Sequence, residues 1–268
     1  MVDGLPAILK ITDEELTPDE QSVGVQRFDP VIGANLPAGR YYELAKPHFD
    51  RTDEWLAPSE VGTTLAHMSV WRHVVETGRG AVILEADVRV EREMLETLQR
   101  AALAHDVPFI LLGYYEVAAN RGIRRVRPHP SGLLLRDVKQ RLEGAFAYFA
   151  SPETAATLLA FHERELRLAD AWSEFFAEQG VEPLYLPLVS HGDAHGENKV
   201  ARMGRASHWT LLQRFAFRAN HYVAFRWFRA TARLRGWQPD ACGASPIVRD
   251  WRQRAAIDPS SLRDERDA

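Results

Sequence analysis

Residues 81–88, AVILEADV, restrict most strongly what this chain can fold into. Four apolar side chains in a row leave no polar face for water, so the segment predicts a strand buried on both sides. It is entered from a helical pattern, APSEVGTTLAHMSVWRHVVETGRG (57–80). There Pro58-Ser59 marks a start, Val61, Leu65, Met68, Trp71 and Val75 recur at helical spacing, and Gly78 and Gly80 mark a stop. Beyond it follow a helix around EREMLETLQRAALAHD, a second apolar strand PFILLGYY (108–115), a strand near GAFAYFAS and a helix opened by Pro152, PETAATLLAFHERELRLA. Helices alternating with doubly buried strands predict an α/β fold with a mostly parallel central sheet. Before residue 58, PAILKI reads as a strand, TPDEQ as a turn or helix start, and RFDPVIGANLPAGRYYELA as a short strand running into loop. The segment NRGIRRVRPHPSG reads as a polar loop.

A chain of 268 residues with 46% hydrophobic content can bury a core of its own. Its net charge of −4 carries no bias toward nucleic acid, and none is expected as a partner. A single cysteine, Cys242, excludes an internal disulfide framework and a Cys-rich zinc site, which fits a cytoplasmic location. The first residues lack a basic segment followed by an apolar one, and no run approaches about 18 apolar residues, so neither a signal peptide nor a membrane span is expected. After residue 200 the sequence becomes aromatic and basic. Over 207–235, Arg214, Arg218, Arg226, Arg229 and Arg233 interleave with Trp209, Phe215, Phe217, Tyr222, Phe225, Trp227 and Phe228. Two readings stand for this stretch: a helix lying on an anionic membrane surface, or a helix packing its aromatics on the domain before it. The expected organisation is a domain over 1–200 and a C-terminal helical extension with a charged tail over 201–268.

The apolar strand ends on Glu85-Ala86-Asp87. Ligands of open α/β sheets bind beyond the carboxyl ends of strands, and alternation by two sends both acids to one side and Ala86 to the other. Two such carboxylates suit Mn²⁺ or Mg²⁺ carrying a nucleotide diphosphate, because the cation offsets charge that carboxylates alone would repel. Acids that merely finish a strand are the alternative. A second cluster, SHGDAHGEN, holds His191, Asp193, His195 and Glu197, with Gly192 and Gly196 making it a loop rather than a helical zinc motif. It reads either as a source of a metal ligand, His191, or as a polar surface loop. A hydrolase is disfavoured, since no Gly-x-Ser-x-Gly elbow or His-Glu-x-x-His helix is present.

The stretch LAPSEVGTTLAHMSVWRHVVETGRGAVILEADVRV resembles the signature of glycosyltransferase family 25, a Ser-x-x-Gly-x-x-x-Ser-His-x-x-x-Trp helix followed by a strand ending Glu-Asp-Asp. The matching residues are Ser59, Gly62, His67, Trp71, Glu85 and Asp87. The resemblance continues through FILLG (109–113), EGAFAYFASPETAATLL (143–159), LADAWSEFF (168–176) and PLYLPLVSHGD (183–193), covering roughly 58–192. It implies a GT-A-like nucleotide-sugar fold and a metal-dependent inverting transfer of galactose or glucose from a UDP-sugar to a glycan or lipid-linked acceptor, as in lipopolysaccharide biosynthesis by bacterial members. Glu85 and Asp87 would then hold the metal with His191, Glu85, His67 and Ser59 would line the donor site, and Asp170 would be the catalytic base. Such a protein would work in the cytoplasm, with the 207–235 segment bringing it to the inner face of the membrane. Two departures support an alternative, a repurposed or degenerate member that keeps the fold. Ala86 replaces the middle Asp, and ILKITDEELTPDEQSVGVQRF replaces an Arg-rich N-terminal helix, with no basic residue between Lys10 and Arg27.

Overall fold

The computed structural model describes residues 5–104, 107–114, 123–129, 132–136, 144–181, 183–190 and 238–239. The 207–235 segment and the His191–Glu197 loop lie outside them. Strand β1 (Ala7–Ile11) leads through the short helix α1 (Pro18–Ser22) to β2 (Gln26–Phe28). Helices α2 (Ala38–Thr52) and α3 (Pro58–Thr77) precede β3 (Ala81–Glu85), and α4 (Arg92–Ala104) precedes β4 (Phe109–Tyr114). Strands β5 (Ile123–His129) and β6 (Gly132–Arg136) pair with each other, and β7 (Ala147–Ala150) is followed by α5 (Pro152–Arg164) and α6 (Trp172–Gln179). Strand β8 (Leu184–Ser190) and the two-residue β9 (Gln238–Pro239) complete the set.

The strands form one mixed sheet in the order β2-β1-β3-β7-β4-β8-β6-β5-β9. The pairs β1–β2, β1–β3 and β4–β8 are parallel, and the other neighbours are antiparallel. Six strands therefore share one direction, while β7, β6 and β9 oppose it. The expected α/β class and the predominance of one strand direction hold, with β7 inserted against the grain at the centre.

Helices cover both faces. Leu9, Ile83, Tyr148 and Phe109 pack toward α3, α5 and α6, whereas Ile8, Val82, Ile110 and Phe149 pack toward α4. The doubly apolar run of β3 is explained by this: Ala81 to Leu84 are each at most 1% exposed. Helix α3 also buries residues all round, from Val61 to Val74, because it lies between the sheet, α2 and α5. Pro58 opens it and Gly78, at φ +63°, closes it in the left-handed region.

Two sequence expectations need correction. The stretch read as a short strand running into loop holds the start of the fifteen-residue α2, whose Gly39 and internal Pro47 hid its period. The stretch read as a polar loop holds β5 and the first residue of its partner β6, and its arginines gave it a solvent-loop composition. Within the range expected as a C-terminal extension, Gln238–Pro239 returns to the sheet as a strand on β5. Among the described residues no helix is long and apolar enough to cross a membrane.

Candidate active site

The carboxyl end of β3 is built from three directions. Because α3 runs into β3 through a short turn, the helix lies antiparallel to the strand, and its N-terminal half sits over the strand's carboxyl end. A glycine is required at position 62 because the 31–33 segment crosses α3 there: a Cβ would lie 2.2 Å from the Val31 carbonyl oxygen and 2.6 Å from the Gly33 nitrogen. The Gly of the Ser-x-x-Gly pattern thus serves a backbone-to-backbone contact. From the third direction, β7 runs antiparallel to β3, so its first residues reach the same end, where the Glu85 N–H donates to the Phe146 carbonyl at 2.9 Å.

Glu85 is the last residue of β3, on the face that Ile83 presents to α3. Its Oε1 lies 2.9 Å from Nε2 of His67, which is fully buried on α3. The other ring nitrogen, Nδ1, is 2.8 Å from the Tyr148 hydroxyl on β7, and the same hydroxyl accepts from Nε1–H of Trp71 at 2.8 Å. Trp71, Tyr148 and His67 are all sealed from solvent, whereas the Glu85 side chain is 28% exposed. The arrangement is a buried hydrogen-bonded chain that ends on one partly accessible carboxylate. Burial pushes the Tyr148 phenol well above its ordinary pKa, with the Glu85 charge adding to the rise and the Trp71 hydrogen bond opposing it.

Asp87 is half-buried in the turn that follows, where the Val88 N–H donates to the Glu85 carbonyl at 3.1 Å. Strand alternation stops at Glu85, so the shared-side argument does not extend to Asp87; its position is set by the turn. That turn is anchored from the opposite face of the sheet. Lys10 of β1, 5% exposed, donates through Nζ to the Val88 carbonyl at 3.0 Å and forms a buried ion pair with Glu20 of α1. Glu20 also accepts from the Thr17 N–H at 2.8 Å, capping α1. Of the acids in the N-terminal stretch, Glu20 is thus neutralised by Lys10, and Glu14 lies 3.0 Å from Arg89.

Asp170 reaches the same end of the sheet by way of β7. Its Oδ2 accepts from the Gly144 N–H at 2.8 Å, just before Phe146, and the Trp172 Nε1–H closes the same loop onto the Gly144 carbonyl at 3.1 Å. The segment before it is held by the Arg167 carbonyl, which accepts from Thr64 Oγ1 of α3 at 2.8 Å. Ser59 is exposed in the first turn of α3, eight residues before His67, about 12 Å along the helix. The structure therefore joins Glu85 to His67 directly and brings Asp87, Asp170 and Ser59 to the same end of the sheet, while His191 lies outside the described residues.

Sequence reasoning missed Tyr148 and the Lys10–Glu20 pair. A tyrosine in the middle of an otherwise apolar strand was the available signal for the first, since a buried phenol needs a partner. A lysine within AILKI was the signal for the second.

Among the described residues no three His, Cys, Asp or Glu side chains cluster closely enough to hold a metal ion. Two carboxylates at a strand end, with one oxygen of Glu85 committed to His67, fit a hard cation that arrives mainly liganded by phosphate and water, not one caged by protein.

No curated protein matches the chain. The model of glycosyltransferase family 25, described as LPS biosynthesis protein, matches residues 14–169, taking in Ser59, His67, Glu85 and Asp87, ending one residue before Asp170, and extending into the acid-rich N-terminal stretch. With more than half of its length matched, and with the motif residues converging on one end of the sheet, the chain belongs to glycosyltransferase family 25 and is a glycosyltransferase.

Proposed function

We propose that the protein transfers a hexose, galactose or glucose, from a UDP-sugar to a hydroxyl of a glycan or lipid-linked acceptor, with inversion at the sugar carbon. The observation that carries this reading is Glu85, a partly exposed carboxylate at the carboxyl end of a doubly buried strand, fixed by the buried side chain of His67. Glu85 and Asp87 would hold Mn²⁺ or Mg²⁺, which when bound supplies positive charge to the departing diphosphate. Glu85 and His67 orient that end of the site, and Ser59, exposed on the first turn of α3, offers a hydroxyl near a helix N-terminus that favours phosphate. Asp170 is the proposed base for the acceptor hydroxyl; its bond to the Gly144 N–H holds the carboxylate against the loop that leads into β7. A membrane-facing role for 207–235 would place the enzyme beside a lipid-linked acceptor.

Thermal denaturation with UDP and Mn²⁺ tests the donor reading. Ligand at a hundredfold its Kd stabilises the folded state by about 2.7 kcal/mol, and Asp87→Ala should abolish the gain. If no nucleotide sugar, with or without Mn²⁺, raises the melting temperature, the second reading takes over: a family member repurposed for another donor or for none. Ala86, which carries no ligand atom, and the commitment of Glu85 Oε1 to His67 are the observations that favour it.

A further inference from the structure

Tyr148 has no assigned role, yet its hydroxyl links Trp71 to the imidazole that holds Glu85. Four groups lie in a row at hydrogen-bond distance: Trp71 Nε1 to the Tyr148 hydroxyl, the hydroxyl to His67 Nδ1, and His67 Nε2 to Glu85 Oε1. Indole N–H can only donate, so it occupies one acceptor position of the phenol oxygen. An ionised carboxylate can only accept, so Nε2 must carry a proton. A neutral imidazole has one proton, which leaves Nδ1 bare and ready to accept the Tyr148 O–H. Every donor then has an acceptor, and the bonds all run from Trp71 toward Glu85. The phenol ring is itself pinned, stacked on Phe109 at 5.5 Å and edge-on to Trp172 at 5.1 Å.

We propose that Tyr148 is a positioning residue for sugar transfer: oriented by Trp71, its O–H anchors Nδ1 of His67, so that Nε2–H holds the Glu85 carboxylate in the orientation the donor site uses. This rests on the reading of Glu85 as a donor-site carboxylate. The aromatic cluster alone does not require tyrosine here, since phenylalanine would keep the ring contacts with Phe109 and Trp172. The hydroxyl is needed as the donor to Nδ1, because without it the buried nitrogen loses its hydrogen bond and the imidazole is held at one end only.

The test combines spectroscopy and kinetics on the full chain. Long-range ¹H–¹⁵N spectra of protein labelled in its ten histidines, with His67 assigned through His67→Gln, should show the Nε2–H tautomer in the wild type. Tyr148→Phe should keep that tautomer, which the carboxylate demands, but move the His67 Nδ1 resonance downfield, as expected when its hydrogen-bond donor is lost. The same variant should lower kcat/KM for the UDP-sugar by about 10–100-fold, the range found for outer-shell partners of metal-binding groups, while leaving the acceptor KM within about twofold. Its UDP–Mn²⁺ thermal shift should shrink in parallel. An Nδ1–H tautomer in the wild type overturns the proposal without any variant. So does a Tyr148→Phe protein whose donor kcat/KM and UDP–Mn²⁺ shift equal the wild type's. If the wild type shows the Nε2–H tautomer but no response to UDP-sugar and Mn²⁺, it is the donor reading that fails, and the functional role of Tyr148 falls with it.

Discussion

His162 makes the stability of this protein pH-dependent in a way that can be isolated. It lies on α5, 3% exposed, with its ring 5.1 Å from that of Trp71, and its Nδ1 has no hydrogen-bond partner among the described residues. Burial above all, with the nearby Arg167 guanidinium adding to it, lowers its pKa from 6.5 to about 3. The folded value is below the unfolded one, so the unfolded chain binds the extra proton. Stability is therefore fully present above pH 6.5 and is lost as the pH falls from there toward 3. At pH 5 the unfolded histidine is almost wholly protonated and the folded one almost wholly neutral. The 1.5 units between 6.5 and 5, at 1.36 kcal/mol each, correspond to a loss of about 2 kcal/mol relative to pH 8. Urea unfolding at pH 8 and pH 5, on the wild type and on His162→Leu, reads this as a difference of differences in which the other titrating groups cancel. The wild type should lose about 2 kcal/mol more than the variant between the two pH values, with unchanged m-values. Equal losses would refute the reasoning, since they would mean that His162 is protonated, or accessible, inside the fold.

Two other perturbations test the supports of the site. Lys10→Met leaves Glu20 as a buried charge without its cation and removes the anchor of the Val88 carbonyl; chemical denaturation should show a loss of about 3–5 kcal/mol, partly recovered in Lys10→Met/Glu20→Leu. Gly62→Ala places a methyl group 2.2 Å from the Val31 carbonyl oxygen, so the 31–33 segment must move off α3; a drop of about 1–3 kcal/mol in thermal unfolding is expected, and an unchanged melting temperature would mean that the two backbones do not meet as described.

Much of the central architecture is legible in the sequence because β3, β4 and β7 are buried on both faces, which leaves a continuous apolar run as the signal. Helix α3 is equally plain, marked by Pro58 at one end and Gly78 at the other. Helix α2 is hidden by Pro47, a residue whose ring forbids one helical hydrogen bond but not the helix, when packing against α3 compensates. The antiparallel direction of β7 has no local signature at all, since it depends on which neighbours a strand meets far along the chain. The site divides in the same way. Glu85 and His67 stand out by residue type and spacing, but their direct bond depends on the depth at which α3 packs. Tyr148, sixty-odd residues beyond Glu85, joins them only because β7 inserts beside β3.

That insertion has a consequence for how the molecule is made. When residues 5–104 have left the ribosome, β1, β2 and β3 can pair and α3 can cover them, yet the inner edge of β3 stays open, because its partner lies at Ala147–Ala150. Until that partner arrives the nascent chain carries an unpaired, apolar edge, the kind that recruits strands from other chains. Closure by β7 caps this edge and in the same movement delivers the Tyr148 hydroxyl to His67. The step that removes the hazard of self-association is thus also the one that finishes the hydrogen-bonded chain to Glu85, so a half-made chain is both sticky and incomplete at its candidate active site.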